Sequence, residues 1–200
     1  ITIISADVDV LELTRGNNEW IESIRNQTNR LDKLVKNLLT LPKMEETHIK
    51  LSFSDFNLSE TVCESANAFK AVADMQGKEF LIDVHPNLKI YGEESSIRQL
   101  VSILVDNAIK YANERGTIKI TLSSYKKGSK LEVDNTTEDI NEVNLNRLFD
   151  RFYRDDSSRS RDTGGYGIGL SIAKSIVEAH NGKISVKSED GKSVCFIVLI

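Results

Sequence analysis

The sequence predicts an α+β protein, an N-terminal antiparallel helical hairpin followed by an α/β domain, and three observations predict it. Apolar residues recur in three- and four-residue steps through residues 1–41 until Pro42 and a polar stretch end the pattern. Beyond Leu51, short alternating segments interleave with long helical patterns. In residues 164–182, GGYGIGLSIAKSIVEAHNG, single residues separate Gly165, Gly167 and Gly169 just ahead of an amphipathic helix. That junction suits an anion. Glycine lets the backbone approach closely, and the helix start offers unpaired N–H groups and the positive end of its dipole. A tight turn before an ordinary core helix is the competing reading of the spacing alone.

The hairpin comes first. Ile1, Ile4, Val8 and Leu11 keep helical steps until Arg15-Gly16-Asn17-Asn18 breaks them, and Ile21, Ile24, Thr28, Leu31, Val35 and Leu38 resume them. Two such helices cannot bury these stripes by themselves. A second copy completing a four-helix bundle is the expected partner, with packing on the following domain as the alternative.

Pro42 and Lys43 to Lys50 mark a linker. Leu51 and Phe53 alternate as a short strand, and Asn57 with Glu60 resembles a capping box opening a helix through about Met75. Phe80 to Val84 and Leu88 to Tyr91 read as a hairpin around Pro86-Asn87. A helix over about Glu93 to Ala112 turns Ile97, Leu100, Val101, Leu104, Val105, Ala108 and Ala112 to a core and sets Asn107, Lys110 and Tyr111 on a second stripe. That stripe reads as a site wall, although a solvated face is the default for Lys110 alone. Strands Thr117 to Ser123 and Lys130 to Asn135, a short helix over Val143 to Phe149, the glycine-led helix, and a closing hairpin of Lys183 to Lys187 with Ser193 to Leu199 complete the chain.

With 40% hydrophobic residues among 200, the chain can form one full α/β core plus a small appendage. The net charge of −4, without a Lys/Arg run, argues against a nucleic-acid surface. No apolar run approaches the ~20 residues of a membrane-spanning helix. Cys63 and Cys195 read as buried, reduced thiols of a cytosolic protein, a disulfide being the alternative. Ile1 opens inside a periodic pattern without a starting Met, so the chain is expected to be an excised fragment.

Three motifs in order resemble the catalytic core of bacterial sensor histidine kinases. QLVSILVDNAIKYA, residues 99–112, is similar to the family's N box, RLFDRFYR, residues 147–154, to its F box, and GGYGIGLSIAKSIVEAHNGKI to its G2 box. The resemblance implies a Bergerat-type ATP-binding α/β sandwich with a mixed sheet and three main helices, and ATP and Mg²⁺ as cofactors. It implies a dimerisation hairpin at residues 1–45, a linker and first strand at 46–56, and a catalytic domain at 57–200 with an ATP lid at about 150–166. By the same resemblance Asn107 is the metal ligand, its amide oxygen being a hard donor suited to Mg²⁺. Lys110 matches a phosphate contact and Tyr111 an aromatic beside the base or sugar. Further nucleotide contacts fall on Ile140, Phe152, Tyr153, Arg154, Gly165, Tyr166, Gly167, Ile168, Gly169 and Leu170, and Arg159 and Arg161 of the lid are candidates for the phosphates. Asn135 stands where the family has the Asp that binds the adenine amino group, Asp134 being the competing register.

The chain departs from the family pattern in three places. Residues 133–140, VDNTTEDI, lack the family's glycines, Ile103 replaces a first Asn, and Ser193 replaces a late Gly. The phosphoacceptor histidine is expected just upstream of Ile1. His48, His85 and His180 read as structural or surface residues, with His180 suited as a cation to a helix C-terminus. The expected partners are a second copy through the hairpin and a response-regulator receiver domain, with no nucleic acid. The expected location is a cytoplasmic domain of a membrane-anchored sensor, attached only through upstream segments. A nucleotide-binding module that has lost kinase activity is the alternative function, and another ATPase of the superfamily is a third.

Overall fold

The computed structural model describes residues 2–16, 18–29, 31, 35, 52–137, 142–153, 167–188 and 191–200. The chain divides into two units, Ile1–Glu46 and Thr47–Ile200.

In the first unit, α1 spans Thr2–Arg15 and α2 covers residues 19–29. Asn18 starts α2 because its Oδ1 accepts the N–H groups of Trp20 and Ile21, both at 3.0 Å. Arg25 of α2 pairs with Asp9 of α1 at 2.6 Å and also with Glu12. Val8, Ile21 and Thr28 are buried, whereas Ile4, Leu11, Ile24 and Leu31 of the same stripes remain 41–47% exposed. Within this unit the described part of the stripe is therefore only partly covered. Leu38 and the linker Pro42 to Lys50 lie outside the described residues.

The second unit is α+β with a mixed sheet. Its elements are β1 (Ser54–Asn57), α3 (Leu58–Asn67), α4 (Lys70–Met75), β2 (Glu79–Val84), β3 (Lys89–Gly92), α5 (Glu94–Tyr111), β4 (Thr117–Tyr125), β5 (Gly128–Thr136), a 3-10 helix (Glu142–Phe149), α6 (Gly169–Ala179), β6 (Lys183–Lys187) and β7 (Ser193–Leu199). The five-stranded sheet runs β2-β4-β5-β7-β6, with β2 parallel to β4 and the other pairs antiparallel. Strand alternation puts Ile118, Ile120 and Leu122 in line with Leu131, Val133 and Asn135, and with Val194, Phe196 and Val198. All nine are buried, and α3, α5 and α6 pack on this side, with α5 against both of the others. The predicted core stripe of α5 is wholly buried, from Ile97 to Ala112.

Three expectations about the elements fail. The predicted helix through Met75 is two helices. Asn67 turns its Nδ2 onto Cys63 O at 2.9 Å, and Phe69 N–H donates to Ala66 O, tightening a turn between α3 and α4. The predicted hairpin of β2 and β3 does not form. β2 pairs with β4, while β3 pairs with β1 in a separate two-stranded sheet. Ser59 accounts for this: its hydroxyl donates to His85 O at 2.7 Å and accepts from Leu88 N–H at 2.9 Å, holding the Pro86-Asn87 turn on the start of α3. The first strand begins at Ser54, after Phe53, because its partners Gly92 to Lys89 face residues 54–57.

His180 is a structural residue, one of the two readings the sequence offered, and not the helix-end cation. It is buried at the end of α6, and its Nε2 accepts the Glu93 N–H at 3.0 Å, a role open only to the neutral imidazole. Both thiols are free, and Cys195 is buried as expected while Cys63 is half-buried. Burial, with Asp134 and Glu132 nearby, pushes the Cys195 thiol up to about 11. Among the described residues no helix is long and apolar enough to cross a membrane.

Candidate functional site

The site is built on α5. Glu93 caps this helix, accepting Ser96 N–H and the Ser95 hydroxyl, each at 2.6 Å. Partial burial acts to raise the Glu93 carboxyl, but these hydrogen bonds outweigh it and hold the group below its ordinary value. A depressed carboxylate contributes stability that is present above its unfolded value and lost as pH falls through the folded one. Glu93→Gln should therefore cost on the order of 1 kcal/mol or less at neutral pH, the lower figure reflecting partial solvation. Thermal melts of the two proteins should converge as the pH drops below the ordinary carboxylate range.

At the other end of α5, Lys78 donates to Ile109 O, and burial lowers its ammonium. Asn113 N–H donates to Thr136 O at 3.1 Å, fastening the helix exit to the end of β5. On the intervening face, Asn107 and Tyr111 are half-buried, and Lys110 is exposed and paired with Asp106. Sequence reasoning passed over Lys78, whose only mark is its place after Gly77 (φ 66).

Asn135 lies beside that exit. It is 1% exposed and faces the helices, with its Nδ2 donating to Thr136 O at 3.3 Å. Asp134 occupies the opposite face of β5, across from Lys119 and Cys195. Of the two registers left open by the sequence, the helix-facing one is Asn135.

The glycines bring the third wall. Gly169 opens α6, and a Cβ there would stand 3.5 Å from Ile103 Cγ2, one turn ahead of Asn107 on α5. The N-cap Ile168 contributes no side-chain cap, so the first N–H groups of α6 keep their capacity for an anion. Ile168 and Leu170 are themselves buried and anchor the turn from below. Gly167 adopts φ 70, and a Cβ on it would lie 2.7 Å from Tyr153 O and 2.9 Å from Phe152 C. Phe152 N–H donates to Gly167 O at 2.9 Å, so the chain at 152–153 meets the chain at 167. Phe152 is 66% exposed and Tyr153 half-buried. The structure thus brings Gly169 against the turn of α5 that leads to Asn107, and Tyr153 against Gly167, while Asn135 sits by the α5 exit. Ile140, Arg154, Arg159, Arg161, Gly165 and Tyr166 lie outside the described residues.

A mixed sheet with helices on one side, and a glycine-led helix laid against a polar-striped one, is the architecture of an ATP-binding α/β sandwich. The chain belongs to the histidine kinase-, DNA gyrase B-, and HSP90-like ATPase family, which matches it over residues 92–200. Its relatives are sensor histidine kinases. It is 32% identical over 189 residues to sensor protein DltS of Streptococcus agalactiae, an alignment covering 94% of this chain and 48% of DltS. The chain thus spans about half the length of that curated relative. The catalytic domain of histidine kinase ThkA superposes with a TM-score of 0.66 at 28% identity, covering 74% of this chain and 95% of that one. ThkA in complex with response regulator protein TrrA gives 0.72 at 26% identity, covering all of this chain and 56% of ThkA.

Proposed function

We propose that the chain is the ATP-binding kinase core of a two-component sensor. It moves the γ-phosphoryl group of ATP to a histidine ahead of Ile1, from which a response-regulator aspartate takes it. The observation that carries this reading is the contact of the α6 start with α5 one turn from Asn107. Nucleotide phosphates lying on the Gly167-Ile168-Gly169 backbone would face the Asn107 amide, while the base would reach Asn135. An amide oxygen at Asn135 accepts the adenine amino proton as a carboxylate does. Tyr111 and Tyr153 would flank the nucleotide. Catalysis of this kind is positioning together with charge neutralisation.

Magnesium fits the donors present. Among the described residues no cluster of His, Cys, Asp or Glu forms a metal cage. Mg²⁺ commonly takes only one or two protein ligands beside phosphate and water. Asn107 would hold it, and the ion when bound would neutralise phosphate charge. Lys110 would exchange its partner Asp106 for phosphate.

The partly covered stripe of α1 and α2 supports a homodimeric bundle, and the ThkA–TrrA complex supports a receiver domain as partner. In the longer protein these units would lie in the cytoplasm beneath a membrane-anchored sensor.

The test is to extend the chain upstream through the acceptor histidine and supply labelled Mg-ATP. Acid-labile phosphate on histidine is expected. Binding without transfer would favour a nucleotide-binding module without kinase activity, and steady phosphate release by residues 1–200 would favour another ATPase of the superfamily.

A further inference from the structure

We propose that Arg147 is a positioning residue for the nucleotide site, acting through Tyr153. The inference rests on the function proposed above, and on a chain of contacts among residues 147–153 and their neighbours in β7 and at Gly167. Phe149, which ends the 3-10 helix, meets the buried Phe196 of β7 edge-on, with ring centroids 6.2 Å apart. Two residues earlier, the Arg147 guanidinium lies 4.6 Å over the centre of the Tyr153 ring. Asp150, 3.8 Å from Arg147 Nε, steadies that group, and Asp150 N–H donates to Arg147 O at 2.9 Å.

Tyr153 in turn has little freedom. Its N–H donates to Asp150 O at 3.3 Å, its neighbour Phe152 is held at φ 63 by the bond to Gly167 O, and its own carbonyl fills the space a Cβ of Gly167 would need. Gly167 leads through one residue to the first turn of α6. Sheet, 3-10 helix, Tyr153 and the anion-facing turn are therefore mechanically continuous, and Arg147 is the link that fixes the Tyr153 ring. Arg147 touches no proposed phosphate position itself. It sets where the aromatic wall stands when nucleotide arrives.

The experiment uses the full chain, with ADP affinity measured by calorimetry and thermal midpoint measured alongside. Arg147→Gln should weaken ADP binding about two- to five-fold, the equivalent of one solvent-exposed cation–π contact, with the midpoint unchanged. Arg147→Lys, which keeps the cation, should recover part of the loss. In a Tyr153→Leu background, Arg147→Gln should have no further effect. A persisting effect there would mean direct contact with nucleotide and overturn the proposal. So would a loss that follows the thermal midpoint and is not rescued by lysine. If Tyr153→Leu weakens ADP and Arg147→Gln does not, Arg147 has no such role while the site stands; if neither matters, the pocket reading falls as well.

Discussion

Asn107→Ala should lower the affinity of the chain for Mg-ATP by roughly 10- to 150-fold, equivalent to the ~1.5–3 kcal/mol of a hydrogen bond or ligand bond to a charged partner. The reasoning is positional. Asn107 is half-buried on α5, one turn past Ile103, the residue that meets the start of α6. The fold should survive, because the buried stripe from Ile97 to Ala112 is untouched. Calorimetry with and without magnesium checks this: the variant should lose the magnesium-dependent part of binding. Asn135→Ala makes the contrast, weakening ATP and ADP alike whether or not magnesium is present. Unchanged Mg-ATP affinity in Asn107→Ala would remove the metal assignment, and a nucleotide defect in Asp134→Ala with none in Asn135→Ala would move the base contact to the other register.

Gly167→Ala should be more disruptive than its single methyl suggests. Its φ of 70 costs an L-residue about 1–2 kcal/mol. The added carbon would also stand 2.7 Å from the Tyr153 carbonyl and 2.9 Å from Phe152 C, both backbone atoms with no rotamer to yield. Together these should reach about 3 kcal/mol, a large share of the ~5–15 kcal/mol that holds a domain folded. The least costly relaxation parts residue 152 from residue 167, which displaces the first turn of α6. Nucleotide binding should fall more than tenfold and the melting temperature should drop. Gly77→Ala separates the two causes, because φ there is 66 yet nothing lies within 4 Å of its Cβ position. It should cost only about 1 kcal/mol and leave binding intact. Equal effects from the two substitutions would mean that backbone conformation alone matters at Gly167.

What could be read in advance followed from local periodicity. The α5 core is a run of three- and four-residue steps, so its buried face was legible from Ile97 to Ala112. The glycine-led helix and its C-terminus were legible for the same reason, with Asn181 at φ 55 closing α6 as the Asn-Gly pair suggests. Non-local contacts decided the rest. Pro86-Asn87 has hairpin chemistry, but Ser59, far away in sequence, claims the groups around it. His180 has the helix-end position of a cation, but the Glu93 N–H arrives from another element and requires a lone pair. The choice between Asp134 and Asn135 was half legible. Alternation with Leu131 and Val133 puts Asn135 on the covered side, once the covered side is known. Arg147 opens the RLFDRFYR motif, but the motif assigns it no role, since its meaning comes from a ring that folds back over it.

The clasp between Phe152 and Gly167 has a consequence for how such a protein can change over time. The bond joins a main-chain N–H to a main-chain carbonyl, so it does not depend on which side chain stands at 152, proline excepted. The side chain at 152 can thus drift over generations while the two stretches of backbone, and the walls they carry, stay tied.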